Sequence, residues 1–137
     1  MIAKLTIEPR YQETDQMGII HHSVYPIWYE MGRVQFCEAI GIPFHVIEEK
    51  GIRLAMYNMS CRYIKPTVFG QKYTLEVRLI QLSKVRLVFQ YQLFDHQYTM
   101  VHEGQTELIW LNHDLKPTNV YKTHPDIYER FLAEVTL

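Results

Sequence analysis

SVYPIWYEMGRVQFCEAIG, residues 23–41, is the stretch on which the fold reading turns. Val24, Ile27, Trp28, Met31, Val34, Cys37 and Ile40 recur every three or four places, the period of one helical face. Ser23 stands where an N-cap would, and Pro26 falls in the first turn, where a missing N–H costs nothing. Gly41 followed by Pro43 is a stop signal. The pattern predicts one long helix over 23–41, and FHVIEEKG (44–51) predicts a short second one.

On either side the period falls to two. AKLTIEPRY (3–11) reads as a short strand with Leu5 and Ile7 on one face. IRLAMYNMSCRYIK (52–65) is extended and apolar on both faces, as a strand covered on each side would be. YTLEVRLIQL (73–82) places Tyr73, Leu75, Val77 and Leu79 on one side, and VRLVFQYQLFD (85–95) does the same with Val85, Leu87, Phe89, Tyr91 and Leu93. Only Ser83 and Lys84 separate them, which predicts an antiparallel hairpin. A turn at Asp95-His96-Gln97 leads into YTMVHEGQTELIWLN (98–112), and the tail THPDIYERFLAEV (123–135) reads as a short amphipathic helix. The expected fold class is α+β: a single domain over 1–137, with a long helix against an antiparallel sheet of about five strands. One helix cannot cover both faces of such a sheet or its long edge, so a homodimer at minimum is expected.

Composition narrows the function. The 137 residues are 47% hydrophobic and carry 14 basic against 15 acidic side chains, a net charge of −1. That balance argues against a nucleic-acid binder working by phosphate neutralisation. The start, MIAKLTIEPR, lacks the apolar core of a signal peptide, and no run approaches the roughly 18 apolar residues of a membrane span. Cys37 and Cys61 show no CxxC spacing, so two reduced thiols in a cytoplasmic protein without membrane insertion are expected.

Immediately before the long helix stands YQETDQMGIIHH (11–22). Taken alone, T-D-x-x-G is a turn in which Asp bonds a nearby backbone N–H. The wider stretch RYQETDQMGIIHHSVYPIWYEMGR, however, resembles the opening signature of the 4-hydroxybenzoyl-CoA thioesterase family, in particular its YbgC/FadM-type branch. The matching positions are Tyr11, Thr14, Asp15, Gly18, Ile19, Ile20, His22, Tyr25, Tyr29, Glu30 and Arg33. A second stretch, RYIKPTVFGQKYTLEV, is similar to the family's strand–Pro–turn–strand at Tyr63, Lys65 and Pro66. The resemblance covers roughly positions 3 to 112, and His21 departs from it where this branch often has Tyr. It implies a hot-dog fold, a curled antiparallel sheet wrapped round a central helix. It also implies hydrolysis of acyl thioesters, usually of coenzyme A, at sites shared between two subunits.

The resemblance also implies roles for particular residues. Asp15 would attack the thioester carbonyl or deprotonate a water, and both routes stay open. Gly18 would let the loop turn tightly beside the substrate. The backbone N–H of His22, at the N-terminus of the long helix, would donate to the developing oxyanion, and its imidazole is a further candidate. Tyr11 matches a residue near the active centre, and Tyr25 would line the site. Glu30 and Arg33 sit one turn apart and can simply pair.

Arg62, Lys65, Lys84 and Arg86 are candidates for the phosphates of coenzyme A, which enters as part of substrate and product. No other cofactor is expected. His21 and His22 are adjacent, so diverging rings are expected, and there is no HExxH, no G-x-S-x-G and no Gly-rich phosphate cradle. No metal is assigned. Two alternatives stand beside an acyl-CoA thioesterase. One is an acyl-carrier-protein thioesterase, with Lys72, Lys84 and Arg86 clustered for an acidic partner. The other is a non-catalytic acyl-thioester-binding protein. A dimer and a tetramer are both open.

Overall fold

Alternating apolar residues make the sheet, and one glycine lets the helix lie close against it. A computed structural model describes residues 1–136. In chain order the elements are β1 (Ala3–Ile7), a 3-10 turn (Tyr11–Glu13), α1 (Tyr25–Ala39), α2 (Phe44–Glu49), β2 (Ile52–Tyr63), β3 (Tyr73–Leu82), β4 (Arg86–Phe94), β5 (Met100–Asn112), α3 (Val120–Thr123) and α4 (Pro125–Leu132). The five strands form one antiparallel sheet in the order β1-β3-β4-β5-β2, which leaves β1 and β2 at its edges. Register shifts between Met56 and Asn58 in β2 and between Leu79 and Gln81 in β3 add local twist, and the sheet curls.

The concave face carries Leu75, Val77 and Leu79 of β3, Leu87, Phe89, Tyr91 and Leu93 of β4, and Leu108 and Trp110 of β5, all buried. Each large apolar side chain hidden there contributes about 2 kcal/mol. α1 lies across this face and buries Tyr25, Trp28, Tyr29, Gly32, Arg33, Phe36 and Cys37. A Cβ on Gly32 would come within 2.6 Å of Val77 Cγ2 and 3.0 Å of Leu75 Cδ2, so the missing side chain is what allows the helix this close.

The apolar face expected for β3 and β4 is buried from Tyr73 to Leu79 and from Leu87 to Leu93, with Glu76 of the other face also buried and Val85 left outside the strand, and the five-stranded α+β architecture matches the expected one. Other expectations need correction. α1 starts at Tyr25 with Val24 as N-cap, and Ser23 does not cap it: its Oγ bonds His21 Nδ1 at 2.8 Å. The seven-residue apolar stripe splits. Ile27, Met31 and Val34 are exposed, while Val24, Trp28, Cys37 and Ile40 join the core with Tyr25, Tyr29 and Phe36. The strand over 52–65 is not covered on both sides in one chain: Met56, Tyr57, Met59 and Tyr63 stand exposed along the β2 edge. The hairpin tip moves one residue on, closed by the Ser83 N–H donating to the Arg86 carbonyl at 2.8 Å. The expected tail helix is present as α4, starting at Pro125, and a four-residue helix that was not expected, α3, precedes it.

Candidate active site

The loop between β1 and α1 is pinned by its own backbone. Thr14 bridges Ile20, the His21 N–H donates to the Glu13 carbonyl at 2.8 Å, and the Ile20 N–H donates to the Thr67 carbonyl at 2.9 Å. Gly18 makes the tight return, at φ +82°, a conformation that costs an L side chain about 1 kcal/mol. Asp15 closes the turn from within: its Oδ1 accepts from the Met17 N–H at 2.7 Å and the Ile19 N–H at 3.4 Å. Only one carboxylate oxygen is used. Oδ2 has no hydrogen-bond partner among the described residues.

Asp15 is half-buried and forms one wall of a cleft of about 270 Å³. The other walls include Ile19, His22, Tyr25, Tyr63 and Lys65. A wider, shallower depression on the other side of Asp15 is bordered by His21 and His22. The N-terminal turn of α1 therefore faces the same region as the carboxylate. Among the described residues the N–H groups of His22 and Tyr25 have no acceptor, and Pro26 has no N–H at all. Two unpaired amides, one at and one just before a helix N-terminus, on residues that line one small cleft, are suited to bind negative charge.

The floor behind these groups is aromatic. Tyr25 is buried, with its hydroxyl on Thr67 Oγ1 at 2.7 Å and its ring stacked on His102 at 4.1 Å. Burial raises the Tyr25 phenol above its ordinary range and pushes the His102 imidazole down to about 4, so His102 is neutral near pH 7. The Tyr29 hydroxyl bonds His102 Nε2, and Nδ1 of the same ring is buried without a partner among the described residues. Tyr63, from the end of β2, packs edge-on to Tyr25 (5.1 Å) and His102 (4.9 Å) and donates its hydroxyl to the His22 carbonyl at 2.8 Å.

The other sequence candidates divide. Tyr11 is 73% exposed, packs edge-on to Phe69, and makes no hydrogen bond to Asp15 among the described residues. Lys65 lines the cleft. Arg62 pairs with Glu103 at 3.2 Å and borders a different depression, on the opposite face of the sheet. Arg86 pairs with Glu107 at 2.5 Å and lies over the Tyr57 ring, and Lys84 lies over Tyr121. Arg86 faces Ile109 on β5, whereas Tyr63 faces His102, a spacing of seven residues or roughly 24 Å along the strand. In one chain, then, the four basic residues do not converge. Nor do the His21 and His22 rings diverge: they stack at 4.2 Å. Glu30 and Arg33 pair at 4.0 Å, and Arg33 also donates to the Tyr91 hydroxyl at 3.1 Å.

His102 and Tyr29 were not among the candidate site residues, and Tyr63 was matched only as part of the second motif. The signal is non-local, because β2–β5 pairing brings together residues some forty positions apart.

The family described as the thioesterase-like superfamily matches residues 9–131. A Bacillus subtilis protein named putative acyl-CoA thioesterase YneP is 27% identical over 126 residues, 91% of each chain. Among solved structures, a DHNA-CoA thioesterase from Staphylococcus aureus superposes with a TM-score of 0.92 at 28% identity, over 96% of this chain and 89% of that one. A hypothetical protein from Thermus thermophilus superposes with a TM-score of 0.90 at 30% identity, over 96% and 98%.

Proposed function

The chain belongs to the thioesterase-like superfamily, and from that premise we propose that it hydrolyses acyl-CoA thioesters to free acid and coenzyme A at the Asp15 cleft. The observation that carries the proposal is a single juxtaposition. A carboxylate with one uncommitted oxygen shares a small cleft with the unpaired amides of a helix N-terminus. A thioester laid between them has its carbonyl oxygen at the amides and its carbon within reach of the acid.

Two routes fit, and both balance. Asp15 Oδ2 adds to the carbonyl carbon, the C–S bond breaks to release the thiolate, and water then cleaves the mixed anhydride. Alternatively, Asp15 takes a proton from water, the hydroxide adds, and the thiolate leaves with that proton. In either route negative charge grows on the carbonyl oxygen in the transition state. The His22 N–H, preorganised at the positive end of α1, stabilises it there, and one such donor is commonly worth about 3 kcal/mol. The His22 imidazole is free to protonate the leaving thiolate. Gly18 holds the turn, and Tyr25 walls the acyl path. Tyr11 is the least supported of the candidates, since its ring turns to Phe69 rather than to the acid.

Beside the cleft the β2 edge is uncovered, with Tyr63 exposed at its end and Met59 and Met56 exposed farther along it. A second copy of the chain on that edge completes the wall, and we place the functional unit as a homodimer. Lys65 is the basic residue that one subunit offers to coenzyme A phosphates at the cleft. On this reading Arg62, Lys84 and Arg86 are candidates for those phosphates only as residues of the other subunit. The domain is a single unit acting without metal or redox cofactor.

The test is a panel of short, long and aromatic acyl-CoA thioesters, with free thiol followed colorimetrically. Turnover of at least one class is expected. Tight acyl-CoA binding without thiol release over hours would replace the reading with a non-catalytic binding protein, and turnover confined to acyl-carrier-protein thioesters would move it to that substrate class.

A further inference from the structure

The His22 peptide is held by an unusual partner. The residue four along the chain is Pro26, which has no N–H to offer the His22 carbonyl, and the Tyr25 N–H does not bond it either. The acceptor is satisfied instead from another element: the Tyr63 hydroxyl, at the end of β2, donates to it at 2.8 Å. That hydroxyl is not free to wander. Its ring meets the rings of Tyr25 and His102 edge-on, and those two stack on each other. His102 is anchored in turn by Tyr29 on α1 and by its place opposite Tyr63 in the β2–β5 ladder.

We infer that Tyr63 is a positioning residue for the reaction: by holding the His22 carbonyl from the β2 edge it fixes the His22 backbone, so that the His22 N–H, on the other side of the same Cα, keeps its place at the cleft. The inference rests on the thioesterase reading above and adds a residue to it. Its physical basis is that an oxyanion donor works by being fixed before the charge develops, so a displacement of about an ångström is costly. The clamp is also uncharged across the working pH range. Burial keeps the His102 imidazole neutral, and partial burial followed by the neighbouring Cys61 pushes the Tyr63 phenol up to about 12. No member of it competes with the carbonyl oxygen for the amide.

Tyr63→Phe keeps the ring and removes only the hydroxyl, which is half-exposed at the cleft. With a substrate that wild type turns over, kcat is expected to fall roughly tenfold while KM stays within about twofold. The amide resonance of His22 in a 15N–1H spectrum is expected to shift, with the melting temperature nearly unchanged. The spectrum needs no substrate, so it decides the clamp even if no thioester is hydrolysed. A failure of wild-type turnover strikes the thioesterase reading and leaves this measurement standing. An unmoved His22 resonance, or a loss confined to KM as expected for a direct substrate contact, overturns the inference.

Discussion

The two oxygens of Asp15 are placed differently. Oδ1 stabilises the turn by accepting from the Met17 and Ile19 amides, which also ties the carboxylate down, and Oδ2, without a partner among the described residues, is the oxygen the proposed chemistry would use. The modest reading of T-D-x-x-G, a self-bonded turn, is therefore true of this residue and compatible with catalysis. At His22 the backbone and the side chain separate. Since the amide survives substitution, His22→Ala is expected to lower kcat by about tenfold, well short of the loss on removing the Asp15 charge, and steady-state kinetics of the folded variants checks the order. Equal losses would place the chemistry on the imidazole. His102 brings a pH effect on stability. In the unfolded chain its imidazole takes up a proton as pH falls below about 6.5, but the buried ring resists until about 4. Stability contributed by this residue is thus present above that window and lost as pH falls through it, by about 3 kcal/mol at most. Thermal unfolding at pH 7 and pH 5 should show a smaller difference for His102→Gln than for wild type, and equal differences would contradict this.

Among the elements, β3 and β4 were legible because apolar residues recur at every second position and that face of each is buried, so the pattern carries the register. α1 was legible as a helix but not in its orientation. It is apolar nearly all round, and periodicity cannot tell the stripe of Trp28, Tyr29 and Phe36, which meets the sheet, from Ile27, Met31 and Val34, which do not. The Asp15 loop was legible through its motif and its place before the helix. The Tyr25–Tyr63–His102 cluster was not, because nothing local links a strand end to a histidine thirty-nine residues later; the link exists only once β2 and β5 pair. Gly104 marks the tightest point of that pairing. A Cβ there would collide with the Tyr29 hydroxyl and come within 2.6 Å of the Ser60 carbonyl oxygen on β2. Backbone cannot yield as a flexible side chain does, so Gly104→Ala is expected to cost more than about 2 kcal/mol and to lower the melting temperature by several degrees. A melting temperature within a degree of wild type would show that the two strands have more slack than this packing implies.

At the scale of the molecule, one chain leaves an unfinished surface. The exposed apolar residues of α1 and the β2 edge, Ile27, Met31, Val34, Met56 and Met59, belong to no core in a single copy. If the proposed homodimer buries them and walls the Asp15 cleft at Tyr63, assembly and activity are expected to fail together. Sedimentation velocity should give twice the chain mass for wild type and a monomer with little turnover for Met59→Asp. A fully active monomer would separate the site from the interface. Everything else depends on the acid opposite the helix N-terminus, and one comparison tests it most directly: thiol release by purified wild type and Asp15→Asn on the same acyl-CoA, with substrate binding measured for both. The account predicts that the variant folds, binds the thioester about as well and turns it over roughly a thousandfold more slowly; an Asp15→Asn protein that keeps full activity would contradict it.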